Sequence, residues 1–126
     1  MQPEQFVQQV TFLRVSDLDT TTAFYQDLLK LPLVLDQGAC RIFRAAGSAF
    51  IGFCRHLEGE LPVGVILTLV TPQVDEWYRY LVNQNVPLEK PPQKNERFNI
   101  YHFFLRDPDG YLVEIQQFLD PTWPGA

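Results

Sequence analysis

FFLRDPDGYLVEIQQF, residues 103–118, contains two strand-like runs separated by a tight turn. The apolar run ends at Arg106, the chain turns at DPDG (107–110), and the next run alternates apolar and polar residues. Proline and glycine at these turn positions set the backbone angles that a β-turn needs, so the DPDG turn has a structural role. We therefore predict a β-hairpin whose second strand carries one carboxylate, Glu114.

This hairpin ends the second copy of an internal repeat. The first copy starts with the strand VTFLRV (10–15), a helix that Ser16 or Asp17 can cap, and the extended segment LPLVLD. Two short strands, ACRIFRA and SAFIGFC, complete it. The same order follows from residue 65: VILTLV, the helix PQVDEWYRYLVNQN, the extended segment VPLEK, the loop PPQKNERF, and the two strands of the hairpin. The pattern predicts β-α-β-β-β twice.

The two copies can be aligned by residue number. Val10 with Val65 and Pro32 with Pro87 are 55 positions apart, whereas Gly52 and Glu114 are 62 apart because the second loop is longer. We predict one α+β domain over residues 1–126, with unit one at about 6–56, unit two at about 63–118 and a tail at 119–126. Each unit is expected to supply a curved antiparallel sheet with its helix outside. Together they would form a larger curved mixed sheet with a central cleft.

Composition narrows the function. With 46% hydrophobic and 20% charged residues, the 126-residue chain is typical of a folded globular protein. The net charge of −5 and the lack of a basic cluster argue against nucleic acid and anionic membranes as partners. Aromatic residues make up 13% and favour a tight core or an aromatic-lined cavity, and an acidic surface tolerates cationic ligands.

The sequence also predicts the cellular compartment and the oxidation state of the two cysteines. The N-terminus MQPEQFVQQV lacks the features of a secretory signal, and no apolar stretch reaches the length of a membrane span. Cys40 and Cys54 are isolated in sequence, which favours buried reduced thiols. A cytoplasmic location is therefore expected.

The combination of VTFLRVSDLDTTTAFYQDLLKL with a later DPDGYLVEIQQF resembles the vicinal-oxygen-chelate superfamily, the glyoxalase, bleomycin-resistance and extradiol-dioxygenase group. The match runs from about Phe6 to Phe118. In metal-dependent members of that group, four residues bind the metal, one near the start of each unit's first strand and one on each unit's last strand. The corresponding positions here are Val10, Gly52, Val65 and Glu114, and a one-residue slip would bring in Gln9. Because three of the four have no donor side chain, we expect no metal site of the family type and no cofactor.

Strand alternation extends the resemblance to neighbouring residues. If the family positions face the cleft, so do several residues two positions away, and the resemblance adds the seventh strand. The predicted ligand-binding residues are Phe12, Arg14, Phe50, Cys54, Leu67, His102, Phe104, Glu114 and Gln116. His56 follows the fourth strand in a polar loop and is expected to be solvated.

The polar residues of this set admit two interpretations each. Glu114 either pairs with His102 or an arginine across the sheet, or anchors a ligand. His102 is either a structural histidine or a base, since its ordinary titration range suits proton transfer. Arg14 lies where glyoxalase-like enzymes with the same LRV string hold a substrate carboxylate, and a surface ion pair is the alternative. Trp123 in the tail either caps the cleft or packs on a partner subunit.

Three functions remain. The first is a metal-free protein that binds a small molecule, either cationic or aromatic, as bleomycin-resistance relatives do. The second is a lyase, isomerase or dioxygenase-like enzyme that uses His102 and Glu114, with or without a rearranged divalent metal to which Cys54 contributes. The third is a regulatory or accessory scaffold, because one fold hosts many functions. The resemblance also implies a homodimer.

Overall fold

The computed structural model describes residues 3–60 and 64–124, and the chain divides into two compact units, Met1–Leu61 and Pro62–Ala126. The first unit contains β1 (Gln9–Arg14), α1 (Leu18–Thr22) with a π-helical continuation over Ala23–Leu28, β2 (Leu33–Asp36), β3 (Cys40–Ala46) and β4 (Ala49–Cys54). The second contains β5 (Ile66–Val70), α2 (Val74–Asn83), β6 (Gln93–Asn95), β7 (Ile100–Arg106) and β8 (Leu112–Phe118). The predicted α+β class and the repeated element order are confirmed. The predicted start of the second unit, near residue 63, lies outside the described residues.

Each unit has its own four-stranded mixed sheet, ordered β1-β4-β3-β2 in the first and β5-β8-β7-β6 in the second. The first strand of each unit pairs in parallel with the last strand, and the other neighbours are antiparallel. The prediction that each unit is purely antiparallel is therefore wrong. The helix between the first and second strands is a crossover connection, and such a connection allows the first strand to lie parallel to its neighbour.

Each helix packs on one face of its own sheet. In the first unit the fully buried Tyr25 stacks on Phe53, with ring centroids 4.4 Å apart. In the second unit Leu81 is fully buried, and Tyr78 of α2 contacts Phe103 of β7 edge to face. Asp17 caps α1, because its Oδ1 accepts hydrogen bonds from the Asp19 and Thr20 amides. Neither helix in the described ranges has the length and apolar content needed to cross a bilayer.

A one-residue difference between the repeats lies in the helices. The Val15 amide donates to the Cys54 carbonyl and the Thr71 amide donates to the Gln116 carbonyl, so the ends of the first strands are 56 positions apart. After the helices, Lys30 and Asn85 both adopt positive φ and are 55 positions apart. The π-helix over Ala23–Leu28 accommodates the extra residue of the first unit.

This difference corrects the alignment of the first strands. In the register with the last strand, Val10 lies beside Phe50 and Ile66 lies beside Leu112. Val10 therefore corresponds to Ile66, and the predicted match of Val10 with Val65 is wrong by one residue. Side chains alternate along a strand, so the shift exchanges the faces predicted for β5.

The second strand of the repeat also differs between the units. β2 pairs with β3 from Leu33 to Asp36, but segment 86–90, predicted to be extended like LPLVLD, is not a strand. β6 instead lies within the predicted loop and starts its pairing at Gln93 opposite His102. Pro87, Pro91 and Pro92 have no amide hydrogen to donate, so the chain before Gln93 cannot form a continuous ladder with β7.

The DPDG turn is held by its first aspartate. Asp107 is buried, and its Oδ1 accepts hydrogen bonds from the Asp109 and Tyr111 amides, each at 2.9 Å. Gly110 closes the turn with φ of 91°, a region that favours glycine. The carboxylate therefore stabilises the turn, a role that the sequence did not predict, whereas Gly110 takes the turn conformation that the sequence predicted.

Candidate functional site

The second unit places its polar side chains on the face of the sheet opposite α2, the helix-free face. Because Phe103 contacts the helix, its neighbours His102 and Phe104 lie on the helix-free face. Thr68 is the register partner of Glu114 and bonds to it, so these two also share that face. Leu67 pairs with Val113 on the opposite face and is buried there. The prediction that Leu67 faces the same side as Glu114 is wrong, because of the one-residue shift in β5.

Glu114 is at the centre of a hydrogen-bonded cluster. Its side chain is buried, with Oε2 2.6 Å from His102 Nδ1 and Oε1 2.8 Å from the Thr68 hydroxyl, which donates. With its amide nitrogen oriented toward Glu114, Gln116 donates to Oε2 at 2.7 Å and to Oε1 at 3.0 Å. Both carboxylate oxygens therefore accept hydrogen bonds from within the second unit.

The contact with Glu114 orients the ring of His102. A carboxylate oxygen only accepts hydrogen bonds, so His102 Nδ1 must carry the proton between them. In the neutral ring, Nε2 then has the lone pair and can accept a proton or a hydrogen bond. The imidazole is largely buried and lies edge to face against Phe104, at 5.0 Å between centroids. A histidine oriented by a carboxylate is the arrangement that general bases use.

A cavity of about 570 Å³ lies beside this cluster, entirely within the second unit. Its walls are the proline-containing segment 87–91 on one side and β7 from His102 to Arg106 on the other, with Leu112 and Gln93. The cavity lies where the segment before β6 fails to pair with β7. Sequence reasoning missed this segment and also Thr68. The three prolines and a lone hydroxyl in an apolar strand were the available signals.

On the helix-free face, the first unit has Phe12 and Gly52 where the second unit has Thr68 and Glu114. Phe12 is the register partner of Gly52, and a Cβ added at Gly52 would overlap its ring. Arg44 lies 5.1 Å above the centroid of Phe50, a cation–π geometry. Arg14 is the register partner of Cys54. Phe12, Arg14, Phe50 and Cys54 thus share one face, as predicted, and their role in binding stays a prediction.

The oxidation state of the two cysteines differs from the prediction. Cys40 and Cys54 are register partners on β3 and β4 and form a disulfide, so they are not reduced thiols. Adjacent antiparallel strands bring the two side chains together, which a separation of 14 residues in sequence does not reveal. His56 is exposed, as predicted, but its Nδ1 lies 3.6 Å from Cys40 Sγ.

The residues at the family's metal positions do not fit a metal ion. After correction of the β5 register, these positions are Val10, Gly52, Ile66 and Glu114. The first three offer no donor atom, and the Glu114 oxygens already accept hydrogen bonds. A divalent ion needs several oxygen, nitrogen or sulfur ligands, so this set cannot hold one.

Trp123 of the tail packs within its own unit. Its ring stacks on Phe118, at 3.7 Å between centroids and an interplanar angle of 16°. About half of its surface is exposed. The end of the predicted tail, residues 125–126, lies outside the described part of the chain.

Comparison with known proteins places these features in a family context. The model of the Glyoxalase/Bleomycin resistance protein/Dioxygenase superfamily matches residues 7–115. The uncharacterized protein YraH of Bacillus subtilis is 28% identical over 121 residues, which cover 85% of this chain and 94% of YraH. Metallothiol transferase FosB of Staphylococcus saprophyticus is 25% identical over 119 residues, covering 88% of this chain and 76% of FosB. The crystal structure of lactoylglutathione lyase from Agrobacterium tumefaciens matches with a TM-score of 0.74 at 21% identity, over 98% of this chain and 100% of that one.

Proposed function

Because the chain belongs to the glyoxalase/bleomycin resistance protein/dioxygenase superfamily, we propose that it binds a small organic molecule in the cavity of its second unit, without a metal ion at the family position. The observation that carries this proposal is His102, which lines the cavity and whose Nδ1 lies 2.6 Å from Glu114 Oε2. Glu114 holds the ring of this lining histidine, and the size of the cavity is typical of small-molecule sites.

The cavity wall indicates what the ligand contains. Phe104, Leu112 and the prolines 87 and 91 supply apolar surface for an aromatic or aliphatic body. Glu89 is accompanied by Lys90 and Arg106, so the wall does not favour a cation over an anion. The aromatic part of the ligand hypothesis is therefore better supported than the cationic part. His102 Nε2 would accept a hydrogen bond from a donor group of the ligand.

The pair also supports an enzymatic alternative. With Nδ1 held by Glu114, His102 Nε2 can remove a proton from a carbon next to a carbonyl and return it elsewhere, as a lyase or isomerase requires. Glu114 would orient the ring. The metal-assisted version of this alternative loses its third ligand, because Cys54 is in the disulfide.

The first test is a thermal-shift screen with aromatic and cationic compounds, followed by calorimetry on those that raise the melting temperature. We expect His102→Ala to weaken the binding of a selected compound about tenfold, the value of one hydrogen bond to a buried group. His56→Ala replaces the other histidine and is the matched control, expected to leave affinity unchanged. Equal affinity in wild type and His102→Ala would exclude His102 from the site.

Two further measurements separate the alternatives. Mass spectrometry of each bound compound after incubation distinguishes sequestration, with no product, from turnover that His102→Ala abolishes. Elemental analysis of untagged, disulfide-intact protein tests the absence of a family metal. About one divalent metal per chain, lost in Glu114→Gln, would contradict the metal-free part of the proposal.

A homodimer is part of the proposal. The helix-free faces carry exposed apolar side chains, including Phe12 and Phe104, and such groups are typical of interaction surfaces. Superfamily members commonly form dimers and bind small molecules. The assembly state of this protein therefore bears on its proposed function. The expected cytoplasmic location stays a prediction, and the disulfide gives it no support.

A further inference from the structure

We propose that reduction of the Cys40–Cys54 disulfide creates a binding site for a thiophilic metal ion, formed by both cysteine sulfurs and His56 Nδ1. Among the described residues these three side chains form a group of potential ligands whose donor atoms all lie within 4.8 Å of one another. The site belongs to the first unit. It uses neither His102 nor Glu114 and does not depend on the function proposed for the second unit.

The distances fit a metal with two sulfur ligands and one nitrogen ligand. Tetrahedral zinc with Zn–S bonds of about 2.3 Å and Zn–N bonds of about 2.0–2.1 Å places its ligand atoms roughly 3.5–3.8 Å apart. Cys40 Sγ and His56 Nδ1 are already 3.6 Å apart. The two sulfurs must separate, and breaking the bond between them permits that movement. Cys54 Sγ lies within 4.8 Å of His56 Nδ1 before the movement.

The backbone holds the three ligands in place. Cys40 and Cys54 are register partners in the ladder of β3 and β4, so reduction leaves them adjacent on the same face. The ladder extends past the strands, because the Arg55 amide donates to the Ala39 carbonyl at 3.0 Å. This bond fixes the chain just before His56. The cysteines are buried and His56 is exposed, which gives an ion a path from solvent.

The chemistry makes the site redox-dependent. The reductant is two thiols or one dithiol, which supplies two electrons and two protons and becomes a disulfide. The Cys40–Cys54 bond breaks, and each cysteine becomes a thiol. Metal binding then displaces the two thiol protons, because thiolates are the ligands. Two thiolates and one imidazole suit zinc(II), with a water as the fourth ligand, or copper(I). The oxidised protein lacks both thiolates and does not bind.

The test is zinc binding to the untagged full-length protein, reduced with a phosphine and then compared with the oxidised protein by competition with a chromogenic chelator. We expect about one zinc per chain in the reduced protein and none at this site in the oxidised one. Cobalt(II) replaces zinc as a spectroscopic probe, and a thiolate-to-cobalt charge-transfer band reports sulfur ligation. His56→Ala is expected to weaken zinc binding by at least about tenfold, as loss of a ligand should exceed loss of a supporting contact. His102→Ala is the matched histidine control and should bind zinc normally.

Three results would overturn the proposal: no zinc in the reduced wild type, equal zinc binding in the oxidised protein, or unchanged binding in a Cys40→Ser/Cys54→Ser variant. Loss of zinc in His102→Ala with retention in His56→Ala would place the metal in the second unit instead. His56 is exposed, so its replacement does not threaten folding, and its result stands even if the cysteine variant is poorly folded.

Discussion

A buried carboxylate is tolerated in a folded protein when its oxygens accept hydrogen bonds or contact a cation. Glu114, with about 7% of its surface exposed, meets this condition through Thr68, His102 and Gln116. The pairing of Glu114 with His102 was one of the two interpretations open from sequence. The cluster fixes the imidazole orientation, so structural support and ligand binding by this pair are compatible.

Removal of the Glu114 carboxylate should leave buried donors unsatisfied. We expect Glu114→Ala to lower the free energy of unfolding by about 2–3 kcal/mol, because His102 and Gln116 lose their acceptor. Thr68→Val removes one hydrogen bond of the same cluster and should lower it by only about 1 kcal/mol. Urea unfolding followed by tryptophan fluorescence measures both, and equal losses would contradict a central role for Glu114.

The Tyr101 hydroxyl contacts a carboxylate of α2. Its hydroxyl donates to Asp75 Oδ1 at 2.6 Å; this hydrogen bond first, then burial and the Asp75 charge, raises the pKa of Tyr101 above 10.0. The raised pKa means that folding favours the neutral phenol. The resulting stabilisation is present below the unfolded pKa and is lost as the pH rises through the folded pKa.

Asp75→Ala should therefore lower the pKa of Tyr101 toward its ordinary value. A titration of the Tyr101 ring carbon by NMR between neutral and strongly alkaline pH measures it. An unchanged Tyr101 titration in Asp75→Ala would show that Asp75 is not the cause.

Among the strands, equivalent positions of the two sheets carry different side chains. Cys40 pairs with Cys54 in the first unit as His102 pairs with Gln116 in the second, and Phe12 pairs with Gly52 as Thr68 pairs with Glu114. The first unit therefore offers sulfur and an aromatic ring, and the second offers oxygen and nitrogen. The repeat creates two places for side-chain chemistry, and the side chains decide which chemistry each supports.

The Phe12–Gly52 contact can be tested by a double-mutant cycle. Gly52→Ala should lower the free energy of unfolding by about 1–2 kcal/mol, because the new methyl group meets the Phe12 ring. In a Phe12→Ala background the same substitution should raise it by about 0.5–1 kcal/mol, since glycine weakens a strand interior. Thermal and urea unfolding of the four proteins give the coupling. If Gly52→Ala changed the free energy of unfolding with the same sign in both backgrounds, the result would contradict the Phe12–Gly52 contact.

The disulfide joins β3 and β4 across a separation of 14 residues. Closing a loop of that length restricts the unfolded chain, so its loss should lower the free energy of unfolding by about 3 kcal/mol. Comparison of wild type with and without reductant measures this change. Cys40→Ala/Cys54→Ala is the control, whose stability should not respond to reductant. A wild type equally indifferent to reductant would show that the bond contributes nothing.

For the whole molecule, we expect a homodimer with a mass in solution near twice 14.6 kDa. The exposed apolar residues Ile66 and Val70 lie on the helix-free face with Thr68, and their replacement by lysine should weaken association. Val82→Lys places the same charge at an exposed position of α2 and is the control. Light scattering after size exclusion measures the mass, and a value of 14.6 kDa at all concentrations would contradict the dimer.

Sequence patterns alone predict the α+β class, the twofold β-α-β-β-β order and the DPDG turn. These features depend on hydrophobic period and turn residues, which are local. The sequence also brought His102, Phe104, Glu114 and Gln116 to one face, because they share one hairpin whose register follows from a short turn.

Features that depend on pairing between distant segments become visible only in the three-dimensional structure. The first helix contains one residue more than the second, so the predicted alignment of β5 was wrong by one residue. Leu67 therefore lies on the face opposite to the predicted one. The cavity arose where a proline-containing segment left the ladder, and the disulfide arose where β3 and β4 set two cysteines side by side. Strand register changes every contact when it shifts by one residue, and a single sequence contains no direct record of it.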